Sequence, residues 1–305
     1  MRVRHILFCL AVVLATATCT PRQEVFSTVT MVWNRHTPAA IVFYTYAAGG
    51  DMAQTQKLEI KFHPSKSDEE LLDSVAVEEI DVALLTAAQA LLLLNAEPTW
   101  RIIADLGPTT PLAILSREAE TWRERREWVN FADQGGRLQL ASWTVENQID
   151  FSTLTIHEAL PLTNPAGNTG ATLVQLAYTP LSRPTLAHDD LHTVAALPQR
   201  LLLLGKTEYI KRHPQGVRRL LEVWKISLQK FREQANDPLP NLAEQMNTDV
   251  DYLRKLLEEH PLPSGSITDA RKVPTDFVRL LEKLTQAGKE RGLLRRSFNP
   301  RAAIP

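Results

Sequence analysis

Cysteine is nearly absent from this 305-residue chain, which holds only Cys9 and Cys19. Glycine is thin as well, 12 residues against the roughly 7% of an average protein. Neither G-x-G-x-x-G nor G-x-x-x-x-G-K-[ST] occurs, so the loops that cradle nucleotide phosphates are missing. The G-x-S-x-G nucleophile elbow is missing too. An excess of either charge is lacking: 34 Lys and Arg stand against 35 Asp and Glu, a net charge of -1. No global field therefore draws the chain to nucleic acid or to an anionic surface. No stretch reaches 18 apolar residues, which excludes a membrane-spanning helix of ordinary length. Repeats with a period of 20 to 50 residues and low-complexity tracts are also absent.

What the chain does hold is globular. Hydrophobic residues make up 44% and charged residues 23%, and the length suits about two domains. Residues 1–18 read as an export signal: Arg2, Arg4 and His5 are followed by an apolar run from Ile6 to Ala15, then by Thr16, Ala17 and Thr18. Small residues ahead of Cys19 predict lipid attachment there, the alternative being plain secretory cleavage that leaves Cys19 a passive thiol. Cys9 leaves with the signal, so no intrachain disulfide can form. Arg2 and Arg4 leave as well, and the exported chain becomes mildly acidic.

Patterning predicts strands at Val25–Arg35, Leu58–Phe62, Asp81–Leu85 and Arg101–Leu106. Helices alternate with them. Thr37 and Pro38 open one over residues 39–48; Ser67 and Glu70 form a capping box before one ending near Val77; Thr86 caps one over Ala87–Leu94. This alternation implies a largely parallel, three-layer α/β sheet. Gly107 to Pro111 reads as a break and domain crossover, followed by a strand at Leu112–Ser116. Arg117–Trp128, dense in alternating charge, reads as a solvated helix. Gly135-Gly136 reads as a turn, Arg137–Ala141 as a strand, and Ser142-Trp143-Thr144 as the opening of a helix reaching about Glu158. Extended segments follow at Leu173–Tyr178 and His192–Leu204. Beyond Lys206 only helices are expected, at 207–212, 215–234, 239–246, 249–260 and 274–286.

Catalysis finds no support in this pattern. The eight histidines are scattered, and the one close grouping, His188-Asp189-Asp190-Leu191-His192, runs into an extended stretch where an i, i+4 pair does not converge on a metal. Paired acids such as Glu69-Glu70 and Glu258-Glu259 fall on helix surfaces. The reading is a non-enzyme without metal or cofactor.

Binding asks for less: two lobes and polar groups where helices begin at the carboxyl ends of strands. The candidate ligand-binding residues are Trp33, Asn34, Arg35 and Thr37 after the first strand, Thr86, Thr109 and Thr110, then Ser142, Trp143 and Thr144, with Tyr178 as a further wall. Arg35, the one cation among the first-lobe positions, is the countercharge candidate, its competing reading a surface residue, and Arg183 between Pro180 and Pro184 is a further candidate. For each Ser or Thr the competing reading is a helix cap, and for each Trp a packing residue.

The signal ending near Cys19, the opening with Pro38, the stretch from Glu69-Glu70-Leu71-Leu72 to Glu79-Ile80-Asp81-Val82-Ala83-Leu84-Leu85, and Thr207-Glu208-Tyr209-Ile210-Lys211-Arg212-His213-Pro214 together resemble the periplasmic substrate-binding proteins of ABC importers. The similarity is to the nitrate/sulfonate/taurine and thiamine-precursor group. Glu78 and Glu79 stand where that group carries Gly, and no second helix-to-Asp turn is found. The resemblance implies a type II periplasmic-binding fold with two α/β lobes joined by a two-stranded hinge, and C-terminal helices packed on lobe one. Lobe one would comprise 24–112 and 205–305, lobe two 113–204, with the hinge near Pro111–Ser116 and Leu201–Gly205. It further implies a monomer that holds a small oxyanion or heteroaromatic ligand and delivers it to ABC permease subunits, bound to the membrane only through a lipid at Cys19. Two rivals stay open: an enzyme on this fold, and an envelope interaction or sensor module that has lost ligand binding.

Overall fold

The computed structural model describes residues 27–34, 43, 55–65, 67–77, 79–116, 120–124, 126–130, 133–158, 174–178, 192–233, 239–240, 243–244, 249–259, 262, 268–269, 275–294 and 299–304. Strand β1 (Ser27–Asn34) pairs in parallel with β2 (Leu58–Ser65) and with β3 (Val82–Thr86). Between them run α1 (Asp68–Val77) after β2 and α2 (Ala87–Ala96) after β3. The local cues act as read: Glu70 N donates to Ser67 Oγ at 3.1 Å, and Thr86 with Gln89 completes a reciprocal capping box.

Two long strands organise the rest. Strand β4 (Trp100–Ser116) is 17 residues long, and Gly107 to Pro111 does not interrupt it. Gly107 adopts φ +101, a conformation suited to glycine, and the pairing register steps at Asp105/Gly107 and Thr109/Leu112. Such irregularities are where a strand tolerates residues without an N–H, so Pro108 and Pro111 are accommodated. Strands β5 (Glu127–Asn130), β6 (Thr155–Glu158) and β7 (Val174–Tyr178) come next, with α3 (Asp133–Glu146) between β5 and β6. Strand β8 (His192–Lys206) then pairs antiparallel with β4 along its whole length, from Ser116↔His192 to Trp100↔Lys206. The order is β2-β1-β3-β8-β4-β7-β5-β6, so β1, β2 and β3 lie on one side of the long pair and β5, β6 and β7 on the other.

The chain ends in helices α4 (Thr207–Arg212), α5 (Pro214–Glu233), α6 (Val250–Glu259) and α7 (Thr275–Glu290), with a two-residue strand, Thr268–Asp269, on β4. Alternation along the strands sends side chains to opposite faces. Val29, Met31 and Leu203 meet α5 through Leu220, Val223, Trp224 and Leu228, while Val32, Ala83, Leu202 and Leu204 meet α2 and the Phe277, Leu281 and Leu284 stripe of α7. A third cluster fills the β5–β7 side with Leu112, Ile114, Trp122, Trp128, Leu140 and Phe151.

Three expectations fail here. Over its described residues Arg117–Trp128 does not form the expected helix: a 3-10 turn at Trp122–Glu124 and the start of β5 stand there, because Trp122 and Trp128 are buried against one another in the third cluster. Arg137–Ala141 is not a strand but the middle of α3, and Gly135-Gly136 is its first turn. Ser142, Trp143 and Thr144 therefore sit in the last turns of α3, and the chain continues not as helix but through a 3-10 turn at Phe151–Thr153 into β6. The C-terminal packing also goes further than expected. Besides covering the β1–β3 side, α7 presses on α3, and Leu138 of α3 enters the second cluster while Ala287 of α7 enters the third.

Candidate functional site

Helices α1 and α2 start at the carboxyl ends of parallel strands β2 and β3, the edge at which open α/β sheets hold ligands. Helix α3, from the other side of the long pair, brings its first turn to the same place. The three amino ends meet on one side chain. Asp68, the first residue of α1, is 2% exposed. Its Oδ1 accepts from Gln89 Nε2 at 2.7 Å, and its Oδ2 accepts from the backbone N–H of Gly135 at 2.6 Å. In return Asp68 N donates to Asp133 Oδ2 at 3.1 Å.

Each partner is fixed by its own local structure. Gln89 Oε1 accepts from Thr86 N at 3.0 Å, so the capping box aims the amide's N–H groups at Asp68. Asp133 turns the chain into α3 with φ +52, a conformation more accessible to Asp than to most residues. Burial pushes the Asp133 carboxyl above its ordinary value, partly offset by the Asp68 N–H and reinforced by the Glu69 charge. Gly135 is demanded by proximity: a Cβ there would lie 2.9 Å from Asp68 Oδ2 and 3.0 Å from Gln89 Cγ. A carboxylate removed from water requires donors, and here a side-chain amide and the positive end of a helix supply them.

Of the residues expected to touch ligand, Thr86 lies at this junction, buried, with its hydroxyl accepting from Gln89 N. Trp33 is not a wall but core, 5% exposed under α5. Ser142 and Thr144 are not at a helix start; both are buried, and Thr144 Oγ1 donates to Ala141 O at 2.9 Å. Trp143 is half-buried against Trp122, ring centroids 5.7 Å apart. Thr109 and Thr110 lie within β4, Asn34 ends β1 opposite Ser65, and Tyr178 ends β7 opposite Leu112. Arg35, Thr37, Cys19 and Arg183 lie outside the described residues, as do His188 and its neighbours up to Leu191. Asp68, Gln89 and Asp133 carry no sequence signal of a site, and Gly135 reads in sequence only as part of a turn. Among the described residues no three His, Cys, Asp or Glu gather as metal ligands, and no helix is long and apolar enough to cross a membrane.

No protein-family model matches the chain, and no curated protein does. Solved structures do. The periplasmic aliphatic sulphonate binding protein SsuA from Escherichia coli is similar with a TM-score of 0.77 at 13% identity, covering 91% of this chain and 97% of that one. The alkanesulfonate-binding protein SsuA from Xanthomonas axonopodis pv. citri, bound to MOPS, gives 0.74 at 12% identity, covering 91% and 98%. The periplasmic nitrate-binding protein NrtA from Synechocystis PCC 6803 gives 0.64 at 11% identity, covering 92% and 85%.

The chain has the periplasmic-binding fold. In this fold, as the chain builds it, β4 and β8 run through both sides of the sheet, and among the described residues further contacts join the β1–β3 side to the β5–β7 side beyond the packing of α7 on α3. Asp68 and Gln89 meet α3; Lys283 Nζ of α7 bonds Glu146 Oε1 of α3 at 2.7 Å; and the Arg291 guanidinium lies 5.5 Å from the centre of the Phe151 ring.

Proposed function

We propose that the chain is an extracytoplasmic solute-binding protein, not an enzyme, that takes a small oxyanion or heteroaromatic ligand between its lobes and hands it to the transmembrane subunits of an ABC permease. Lobe one is residues 24–112 with 205–305, lobe two is 113–204, and a lipid on Cys19 holds the monomer at the envelope. The observation that carries this reading is the convergence of three helix amino ends, from both sides of the β4–β8 pair, on one buried point. Donor groups so placed favour a negatively charged or strongly accepting guest, and a ligand touching both lobes only when they are closed shifts them toward closure. The names of the similar structures, sulfonate- and nitrate-binding proteins, agree with that chemistry.

One observation favours a second reading. The point of convergence holds the protein's own carboxylate, as in an interaction or sensor module that no longer binds a solute. Thermal unfolding of the chain lacking residues 1–18 against oxyanions, alkanesulfonates, pyrimidines and amino acids separates the two. A saturable rise in Tm with one chemical class supports solute binding. No shift with any of them overturns it in favour of the second reading.

A further inference from the structure

Asp68 belongs by sequence to the first turn of α1, yet its side-chain oxygens bond residues of two other helices. It reaches across to the amide of Gly135, 67 residues further along the chain and in the other lobe. The backbone of Asp68 is bonded in turn to Asp133, so the contact is double. Gln89, pinned by its capping box, holds the second carboxylate oxygen. A group that contacts both lobes only when they are together does to the lobe equilibrium what a bound ligand does. Asp68 is moreover tethered, so its effective concentration at α3 stays high with no solute present.

We propose that Asp68 is an autoinhibitory latch: its carboxylate, seated on the first turn of α3 and held by Gln89, closes the two lobes in the absence of ligand. Opening the lobes returns Asp68 to water and frees the Gly135 N–H. Any guest of the cleft competes with this residue rather than entering empty space. The proposal takes the cleft from the preceding section, but its test needs no ligand, so failure of one is distinguishable from failure of the other.

The test is made on ligand-free protein lacking residues 1–18, with one spin label on Glu59 of β2 and one on Ser152 of the 3-10 turn before β6, both exposed. Inter-label distances and hydrogen exchange at Gly135 are read for the wild type, Asp68→Asn and Gly135→Ala, each checked for native circular dichroism. The wild type should give one short distance and a protected Gly135 amide. Asp68→Asn should add a longer-distance population and speed Gly135 exchange about tenfold or more, since a charge-assisted bond is lost. Gly135→Ala, which attacks the same contact from the other lobe, should lengthen the distance as well. A wild type that is already fully open, or folded variants that keep its single short distance, would overturn the latch.

Discussion

Arg200 of β8 grips the carboxylate of Asp105 on β4 with two donors: Nε lies 3.2 Å from Oδ1, and a terminal nitrogen bonds Oδ2. Asp105 is 1% exposed and also accepts from Gly107 N at 3.0 Å, while Asp276 of α7 stands 3.7 Å from the remaining Arg200 nitrogen. The pair therefore bridges the two strands that the lobes share, at the register step after Asp105. Arg200→Ala would strand a buried charge, a loss worth about 3 kcal/mol. Urea unfolding should show that loss, with a smaller one for Asp105→Asn, which keeps hydrogen-bonding atoms in place.

Gln89→Leu conserves volume but removes the donor to Asp68 and half of a capping box. A buried carboxylate deprived of a partner predicts about 2 kcal/mol of destabilisation. Gln89→Glu sets a second carboxylate against the first and should be at least as damaging in thermal unfolding near neutral pH.

Gly288 of α7 lies against Leu138 and Leu294, and a Cβ there would approach both at 2.7 to 2.8 Å. Alanine is the better helix former, yet overpacking of about 1–3 kcal/mol outweighs that gain. Gly288→Ala should lower the denaturation midpoint, whereas Lys283→Ala, which breaks an exposed pair on the same helix, should change stability by at most about 1 kcal/mol.

Burial raises the Asp133 carboxyl above 3.8 in the folded chain, so the folded state binds this proton more tightly than the unfolded state does. Stability from this group is present below 3.8 and is lost as pH rises through the raised folded value. Asp133→Asn removes the penalty while keeping an acceptor for the Asp68 amide. The variant should therefore gain stability relative to wild type at neutral pH, and the gain should shrink on acidification toward 3.8. A difference independent of pH across a Tm series would refute this assignment.

Elements with local cues were readable in sequence. Ser67-x-x-Glu70 and Thr86 mark helix starts that the structure bears out, and the apolar spacing of Val217, Leu220, Val223, Trp224 and Leu228 marks α5. The misreadings share a cause, tertiary contact overruling local preference. Gly135-Gly136 looks like a turn because glycine weakens a helix by about 1 kcal/mol. Here the space a side chain would need at Gly135 is taken by Asp68 and Gln89. In Arg117–Trp128 the charges suggest a solvated helix, yet Trp122 and Trp128 decide by burying themselves together. Asp68 was hidden inside its own capping motif: nothing local to residue 68 announces a partner 67 residues away.

Helix α2 carries another consequence. Ala87 to Leu94 are all buried, and the apolar stripe of α7 shares their cluster. That cover is made last, since α7 begins at Thr275. Until α7 is made, the part of this leucine-rich helix's cluster filled by Phe277, Leu281 and Leu284 stays open, and a truncation just before Thr275 should aggregate rather than yield a smaller folded protein.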